Sequence, residues 1–406
     1  MPIIYHHHLS TSVTAILAGD FPDRLKYSLV SPIYKKGSNS DPANYRPISV
    51  LTSFAKVLEM ALYVRLIDHI TLNNMLTDQQ YSFRKGYSTD EEIFKLTYEF
   101  LNALNDKSIV GSIFFDLEKA FDSVNHSLLI KKLPYYGITG KAKLLIESYL
   151  CNRYQRVLLK NSRTNSNVVS EWTKVNHGVP RGSVLGPLLF LLYINDLPMA
   201  VPTKKIPILF ADDTSIVITS PNTCELQKEI SASLHQLTKW FQENSLSLKV
   251  SKTYFLQFHN KNPNNTDAPI ILDSKFVTKA NHIKFLGLTI NDSLTWKTHI
   301  DVILPKLSSA CFAIRSVKPY VSQQTLKAIY YAYFHAIMSY GVIFWGQSPD
   351  SSKVFLLQKR VIRTMMGCGR RDSCRRLFAE LGILTLSSQY IFSLLLFVVK
   401  TGNCFL

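Results

Sequence analysis

Apolar residues recur at helical spacing in several stretches of this chain and bunch or alternate in others. Over 53–72, Val57, Leu58, Ala61, Leu62, Val64, Leu66 and Ile67 line a broad apolar face, which predicts a helix. A second helix is predicted over 89–105. Ser88-Thr89-Asp90 starts it, and Glu91 and Glu92 stand in the first turn, where acids suit the helix dipole. Shorter helices follow over 125–133 and 140–151. Residues 112–117 form a β-rich run ending on Asp116, with further strands at 155–159 and 171–175. A Gly/Pro-marked turn at 178–183 leads into an apolar helix over 186–196, whose Leu188, Leu189 and Leu192 are core residues. The run 208–218 reads as a hairpin turning at Asp212-Asp213. Leu226, Ile230, Leu234, Leu237, Trp240 and Phe241 then predict a helix over 223–243. Strands at 254–259 and 282–290, separated by a surface loop at 260–267, lead to a mostly helical tail that includes 324–338. No internal repeat interrupts this order.

Composition narrows the picture. A chain of 406 residues has room for two or three packed units, and at 46% hydrophobic residues it is not a disordered one. The net charge of +17 favours a polyanionic partner, most simply nucleic acid. The longest apolar runs, 184–194 and 391–399, are too short to span a bilayer, and stable membrane association is not expected. The N-terminus carries His6-His7-His8 and no secretory signal; the triple His reads as an inert surface run. Six scattered cysteines include no Cys-x-x-Cys pair, so reduced intracellular thiols are the default.

The chemistry concentrates on carboxylates. Phe210-Ala211-Asp212-Asp213 puts two adjacent acids inside a strand-like run, where each opposes the other and burial adds to the cost. A divalent cation is the simplest neutraliser, and hard cations such as Mg²⁺ prefer carboxylate oxygen. Asp116 has a similar setting. Three acids at strand ends, two of them adjacent, suit a two-metal phosphoryl-transfer site.

The order of motifs resembles the reverse transcriptases of non-LTR, LINE-type and jockey-like retrotransposons over about residues 20–400. The resemblance is carried by Asn44-Tyr45-Arg46-Pro47-Ile48-Ser49, by Asp116-Leu117-Glu118-Lys119-Ala120-Phe121-Asp122, by the run from Gly178 to Pro187, by Phe210-Ala211-Asp212-Asp213 and by Lys252-Thr253. It implies an α+β, right-hand polymerase fold with fingers, an antiparallel-sheet palm and a helical thumb. The expected division is 15–290 for fingers and palm and 291–406 for the thumb and C-terminal region.

The resemblance also implies roles. Asp116, Asp212 and Asp213 would be catalytic metal ligands for two Mg²⁺ ions, with Mn²⁺ as a substitute. Lys252 would give a proton to departing pyrophosphate. Arg46, with Lys35, Lys36 and Lys56 nearby, would clamp the triphosphate. Phe121 would lie under the sugar and exclude a 2′-hydroxyl, and Gly182 would let the backbone approach the nucleotide. Asp122 is expected to cap the following helix. Phe285-Leu286-Gly287 resembles a hairpin that grips the primer end, and Lys359, Arg360, Arg363, Arg370, Arg371, Arg375 and Arg376 would track a duplex backbone.

Three positions depart from the family pattern. Arg181 stands where Gln is usual and could grip a phosphate or disturb nucleotide placement. Lys249 stands where Asn is frequent, and Ser82 where Gly often precedes Phe83-Arg84. The function so implied is RNA-directed DNA polymerisation. Its partners would be an RNA template, a DNA primer and dNTPs, in the nucleus by family resemblance, with the endonuclease of a longer element protein absent here. A decayed or domesticated RNA-binding copy, and a metal-dependent nuclease built on the same acids, are the alternatives.

Overall fold

A computed structural model describes residues 18–160, 166–202, 205–258, 271–272 and 275–402. The triple His and the loop at 260–267 lie outside the described residues. Two compact units divide the chain. The first comprises residues 1–92, 105–255 and 266–278; the second comprises 93–104, 256–265 and 279–406.

The first unit opens with β1 (Tyr27–Tyr34) and β2 (Tyr45–Val50), an antiparallel pair in which Ile33 faces Arg46 and Tyr34 faces Tyr45. α1 (Ser53–Leu72) follows, its first turn capped by the Thr52 hydroxyl, which accepts from the Ala55 amide. The buried side of α1 is narrower than its sequence predicts. Ala55, Leu58, Glu59 and Ile70 are buried, whereas Val57 and Val64 are 64% and 46% exposed. Apolar residues surround this helix, and only packing selects which stripe is covered. α2 (Thr89–Asn105) begins where Glu91 accepts from the Ser88 amide. Only its first turn, through Glu92, belongs to the first unit.

β3 (Ile109–Phe115) is buried on both faces apart from its first residue and ends one residue before Asp116. α3 (His126–Lys132), α4 (Gly140–Leu150), β4 (Arg153–Lys160), β5 (Asn167–Val169) and β6 (Thr173–Val175) follow. β4 runs parallel to β1, with Tyr27 opposite Tyr154, and antiparallel to β6. α5 (Leu185–Ile194) is buried at every position except Pro187, so it shows no amphipathic stripe. β7 (Ile206–Phe210) and β8 (Asp213–Ser220) form the expected hairpin, turning at Ala211-Asp212, and β8 pairs antiparallel with β3. α6 (Thr223–Glu243) is capped by Asn222 and packs Leu226, Ile230, Leu234, Leu237, Trp240 and Phe241 into the core. β9 (Tyr254–Phe258) follows, with only Tyr254 and Phe255 in this unit.

The second unit carries an antiparallel hairpin, β10 (His282–Phe285) and β11 (Leu288–Asn291), whose turn is held by the Tyr340 hydroxyl donating to the Leu286 carbonyl. Helices make up the rest: α7 (Lys297–Val317), α8 (Gln323–Ile329), α9 (Ser351–Met366), α10 (Cys374–Leu381) and α11 (Leu386–Thr401). The helix expected over 324–338 widens after α8 into a π turn at Tyr330–His335. Arg360, Arg370, Arg371, Arg375 and Arg376 are exposed, while the Lys359 ammonium sits over the Phe355 ring, 4.2 Å from its centroid. Among the described residues no single helix is long and apolar enough to cross a membrane. The bent pair Cys374–Leu381 and Leu386–Thr401, at 46°, passes by length and composition.

Candidate active site

The three acids of the sequence converge in the first unit. Asp116 is delivered by β3, and Asp212 and Asp213 by the β7–β8 turn, because Phe115 pairs with Thr214 and brings the two chain ends side by side. Burial raises the Asp212 carboxyl above its ordinary range, and the charge of Asp116 adds to this. The same two causes, with Asp212 as the nearer charge, push Asp213 up to about 6. Such a cluster lacks positive charge, and the chain provides some. The Lys252 ammonium lies 2.5 Å from Asp116, the charge of Lys35 acts on Asp213, and those of Arg181 and Arg46 on Asp212.

Local structure explains how each group arrives. The segment 247–252 runs beside 116–118: the Glu118 amide donates to the Ser247 carbonyl and the Lys249 amide to the Asp116 carbonyl. A single 3-10 turn, Val250–Lys252, then aims Lys252 at Asp116. Lys249 therefore meets the site through its backbone, a contact that does not depend on its side chain. Lys35 and Arg46 come from β1–β2, where burial and the neighbouring Arg46 and Lys252 charges lower the Lys35 ammonium. Lys36 and Lys56 are exposed.

The turn at Ala211 holds a left-handed conformation, φ 53°, in a non-glycine residue, and it needs support. Its amide donates to Ser82 Oγ at 2.8 Å and to Gln80 Oε1 at 3.2 Å. The Ser82 hydroxyl in turn donates to Gln80 Oε1. Ser82, one of the three departures, is thus 1% exposed and engaged directly under the acidic turn.

The turn at 178–183 is clamped from two sides. The Gly178 amide donates to the Val124 carbonyl, the Val179 amide to the Phe121 carbonyl, and the Arg181 carbonyl accepts from the Ser49 amide at 2.7 Å. A Cβ on Gly178 would lie 2.7 Å from the Asp122 backbone, and one on Gly182 2.8 Å from the Ser49 carbonyl oxygen. Both residues have positive φ, so only glycine fits there. Glu59 of α1, fully buried, reaches the start of α5, where it accepts from the Val184 amide at 2.7 Å and from the Tyr149 hydroxyl. Burial raises its carboxyl, and these bonds and the charge of Arg153 oppose the rise.

One expectation is corrected and another gains a detail. Asp122 does not cap α3; Asn125 does, accepting from the Leu128 amide, because Asp122 lies in an intervening 3-10 turn. Its carboxylate instead pairs with Arg181, Nε to Oδ1 at 3.1 Å and Nη2 to Oδ2 at 3.0 Å. Glu92 stands in the first turn of α2 as expected, but it does not meet water. It is fully buried, its carboxyl oxygens without a hydrogen-bond partner among the described residues, and burial together with the charge of Asp213 pushes it up to about 9. Phe121 is half-buried and stacks on Phe190, centroids 4.5 Å apart.

Sequence reasoning missed Glu59, Gln80 and the burial of Glu92. Glu59 had one local signal, a carboxylate on the stripe that also carries Ala55 and Leu58. Among the described residues no group of three or more His, Cys, Asp or Glu forms a ready-made metal cage. The three acids offer hard carboxylate oxygen donors, which is the donor chemistry that divalent cations such as Mg²⁺ accept.

Comparison with known proteins places this arrangement. Residues 33–290 match the family described as "Reverse transcriptase (RNA-dependent DNA polymerase)". The chain is 31% identical over 408 residues to the probable RNA-directed DNA polymerase from transposon BS of Drosophila melanogaster, covering 96% of this chain and 44% of that protein. The corresponding protein of transposon X-element, from the same fly, is 29% identical, covering 86% and 38%. The chain thus spans less than half the length of these relatives. The structure of telomerase from Candida albicans with a TWJ fragment of telomeric RNA aligns with a TM-score of 0.50 at 12% identity, over 93% of this chain and 68% of that one. That likeness shows the fold, a right-hand polymerase. By its matching domain and its relatives, the chain belongs to the reverse transcriptase family, on the branch of the non-LTR retrotransposons.

Proposed function

We propose that this chain extends a DNA primer on an RNA template with dNTPs, as the polymerase part of a longer retrotransposon protein. One observation carries the proposal: three carboxylates from distant parts of the chain meet in one partly desolvated place, ringed by Lys35, Arg46 and Lys252. Family membership implies use of a divalent metal. Asp116, Asp212 and Asp213 would hold two Mg²⁺ ions, or Mn²⁺ in their place. Held by these carboxylates, the ions would supply Lewis-acid activation of the attacking 3′ oxygen and charge neutralisation for the leaving pyrophosphate.

The remaining work falls to this chain's own side chains. Arg46 and Lys35 face the same acids from β1–β2 and would hold the triphosphate between them and the carboxylates. Lys252 stands at Asp116 with an ammonium proton to give, which suits a general acid for pyrophosphate. Phe121, braced by Phe190, would meet the sugar. The exposed arginines of the second unit would follow the duplex backbone as part of a thumb.

The departures from the family pattern do not favour a decayed copy. Ser82 supports Ala211, Lys249 acts through its backbone, and Arg181 has Asp122. Primer extension on poly(rA)/oligo(dT) with Mg²⁺ tests the proposal. Extension that requires dTTP is expected. Binding without extension would identify a decayed copy, and degradation without triphosphates would identify a nuclease.

A further inference from the structure

Arg181 occupies a position where a neutral side chain is usual, and its surroundings give it a task. Its guanidinium forks onto both oxygens of Asp122, at 3.1 and 3.0 Å. The same guanidinium carbon lies 5.9 Å from the centroid of the Phe121 ring. Asp122 is the residue next to Phe121 in the chain. Two elements that would otherwise meet only through backbone, the 3-10 turn Ala120–Asp122 and the turn at 178–183, are thereby clasped side chain to side chain directly beside that ring.

The Phe121 ring is restrained from three directions. Phe190 of the buried helix α5 stacks on it at 4.5 Å. The Phe121 carbonyl accepts from the Val179 amide at 2.8 Å, which fixes the backbone that carries the ring. The Arg181–Asp122 fork closes the third side. Phe121 nonetheless remains half-buried, so part of the ring faces outward from the core. A ring that selects by overlap with one hydroxyl must not yield by even a fraction of an ångström, because a small tilt would open the space it denies.

We propose that the Arg181–Asp122 pair is a positioning clasp that sets the rigidity of Phe121 and so determines selection of deoxynucleotides over ribonucleotides. This rests on the polymerase function proposed above. Both residues are positioning residues that act through the ring; because the Arg181 charge also acts on Asp212, the deoxy-to-ribo ratio and not the overall rate is the readout. A planar fork matched to a carboxylate is what a clasp needs; a lysine would keep the charge and lose the second bond. Within the fork Arg181 uses Nε and Nη2, and its other N–H groups have no hydrogen-bond partner among the described residues. Phosphate gripping by a freely mobile Arg181 is therefore the weaker account: the side chain is already held.

The test is a double-mutant cycle on the full chain, using Arg181→Gln, Asp122→Asn and the double variant, with Arg181→Lys beside them. For each, efficiencies with dTTP and with ribothymidine triphosphate are measured on poly(rA)/oligo(dT), with a melting curve and primer–template affinity. Each single variant is expected to lower the deoxy-to-ribo ratio about tenfold, mainly through a lower ribonucleotide KM. The double variant should be no worse than either single one, and Arg181→Lys should fall between wild type and Arg181→Gln. The double variant removes both charges together, so it keeps the test alive where a single variant folds poorly. Variants that melt earlier with an unchanged ratio, or single effects that multiply in the double variant, would overturn the clasp. A wild-type chain that makes no product rejects the polymerase function and this proposal with it, whereas wild-type extension with an unaltered ratio in the variants rejects the clasp alone.

Discussion

Two fully buried polar side chains, one in each unit, are treated in opposite ways. In the second unit the fully buried Gln358 satisfies its whole amide: it donates to the Tyr330 hydroxyl at 3.0 Å and to the Leu384 carbonyl at 2.9 Å, and accepts from the Leu386 amide at 2.8 Å. The unit's arginines are largely exposed. The first unit buries Glu92 with nothing to bond to and crowds Asp116, Asp212 and Asp213 into a common field. A core optimised for stability removes such costs, as the second unit does at Gln358, although its buried His299 Nε2 also lacks a hydrogen-bond partner among the described residues. A site that must attract cations and phosphates retains them, because neutralising the acids in advance would leave nothing for a ligand to gain. The difference separates an element that keeps a shape from one that keeps an unpaid electrostatic debt.

The largest expected effect breaks that contrast at its centre. Asp212→Asn should lower extension by at least about 10³-fold, since one ligand of a charge-stabilising site is lost. Primer–template affinity should hold within a few-fold, because exposed cations elsewhere carry it. Unchanged extension by this variant, measured beside a binding titration, would end the assignment of the acids.

Next in size is the response of stability to pH, which should have opposite signs in the two units. Glu92 is raised from 4.5 to about 9, so its unfolded form ionises first. Its contribution is whole below pH 4.5 and is lost as pH rises toward 9. His299 is lowered from 6.5 to about 4 by burial, and its contribution is whole above pH 6.5 and is lost as pH falls toward 4. Thermal unfolding without divalent cations should show Glu92→Gln flattening the alkaline limb, by about 3–5 kcal/mol at pH 8. His299→Phe should flatten the acid limb instead. Variants with the wild-type slope on both limbs would show that neither group is buried as described.

A smaller effect sharpens the account of the acidic turn. Ser82→Ala removes one acceptor of the Ala211 amide and leaves the other, Gln80 Oε1, in place. Extension should fall about tenfold with little change in melting temperature. A change in melting temperature alone would make Ser82 a packing residue. The smallest effect belongs to the second unit's surface. Arg375→Ala with Arg376→Ala should reduce the salt dependence of hybrid binding by about one to two units of slope, one phosphate contact each. An unaltered slope would leave these two arginines outside the binding face.

Much of this molecule was legible in sequence for a local reason. The helices at 53–72 and 223–243 follow from apolar spacing, and that at 89–105 from Ser88-Thr89-Asp90 with Glu91 in its first turn, and every one of those signals lies within a turn of what it controls. The hairpin was legible because β7 and β8 are neighbours in the chain. Asp116, Asp212 and Asp213 stood out because charges inside strand-like runs are rare enough to need an explanation.

What only the tertiary structure decided are contacts between residues far apart in the chain. Nothing near residue 59 announces that Glu59 ends at the amide of Val184, and nothing near residue 82 announces Ala211. The same holds for Arg181 and Asp122, whose pairing turns an apparent fault in a motif into part of a clasp. Which stripe of α1 is buried, and whether Glu92 meets water or the core, also depended on packing. Local pattern sets the period of each element and the chemistry it carries. The partner that each polar group finds is chosen by the whole fold, because desolvation and pairing are properties of a place in space, and that place is assembled from segments which the chain itself keeps apart.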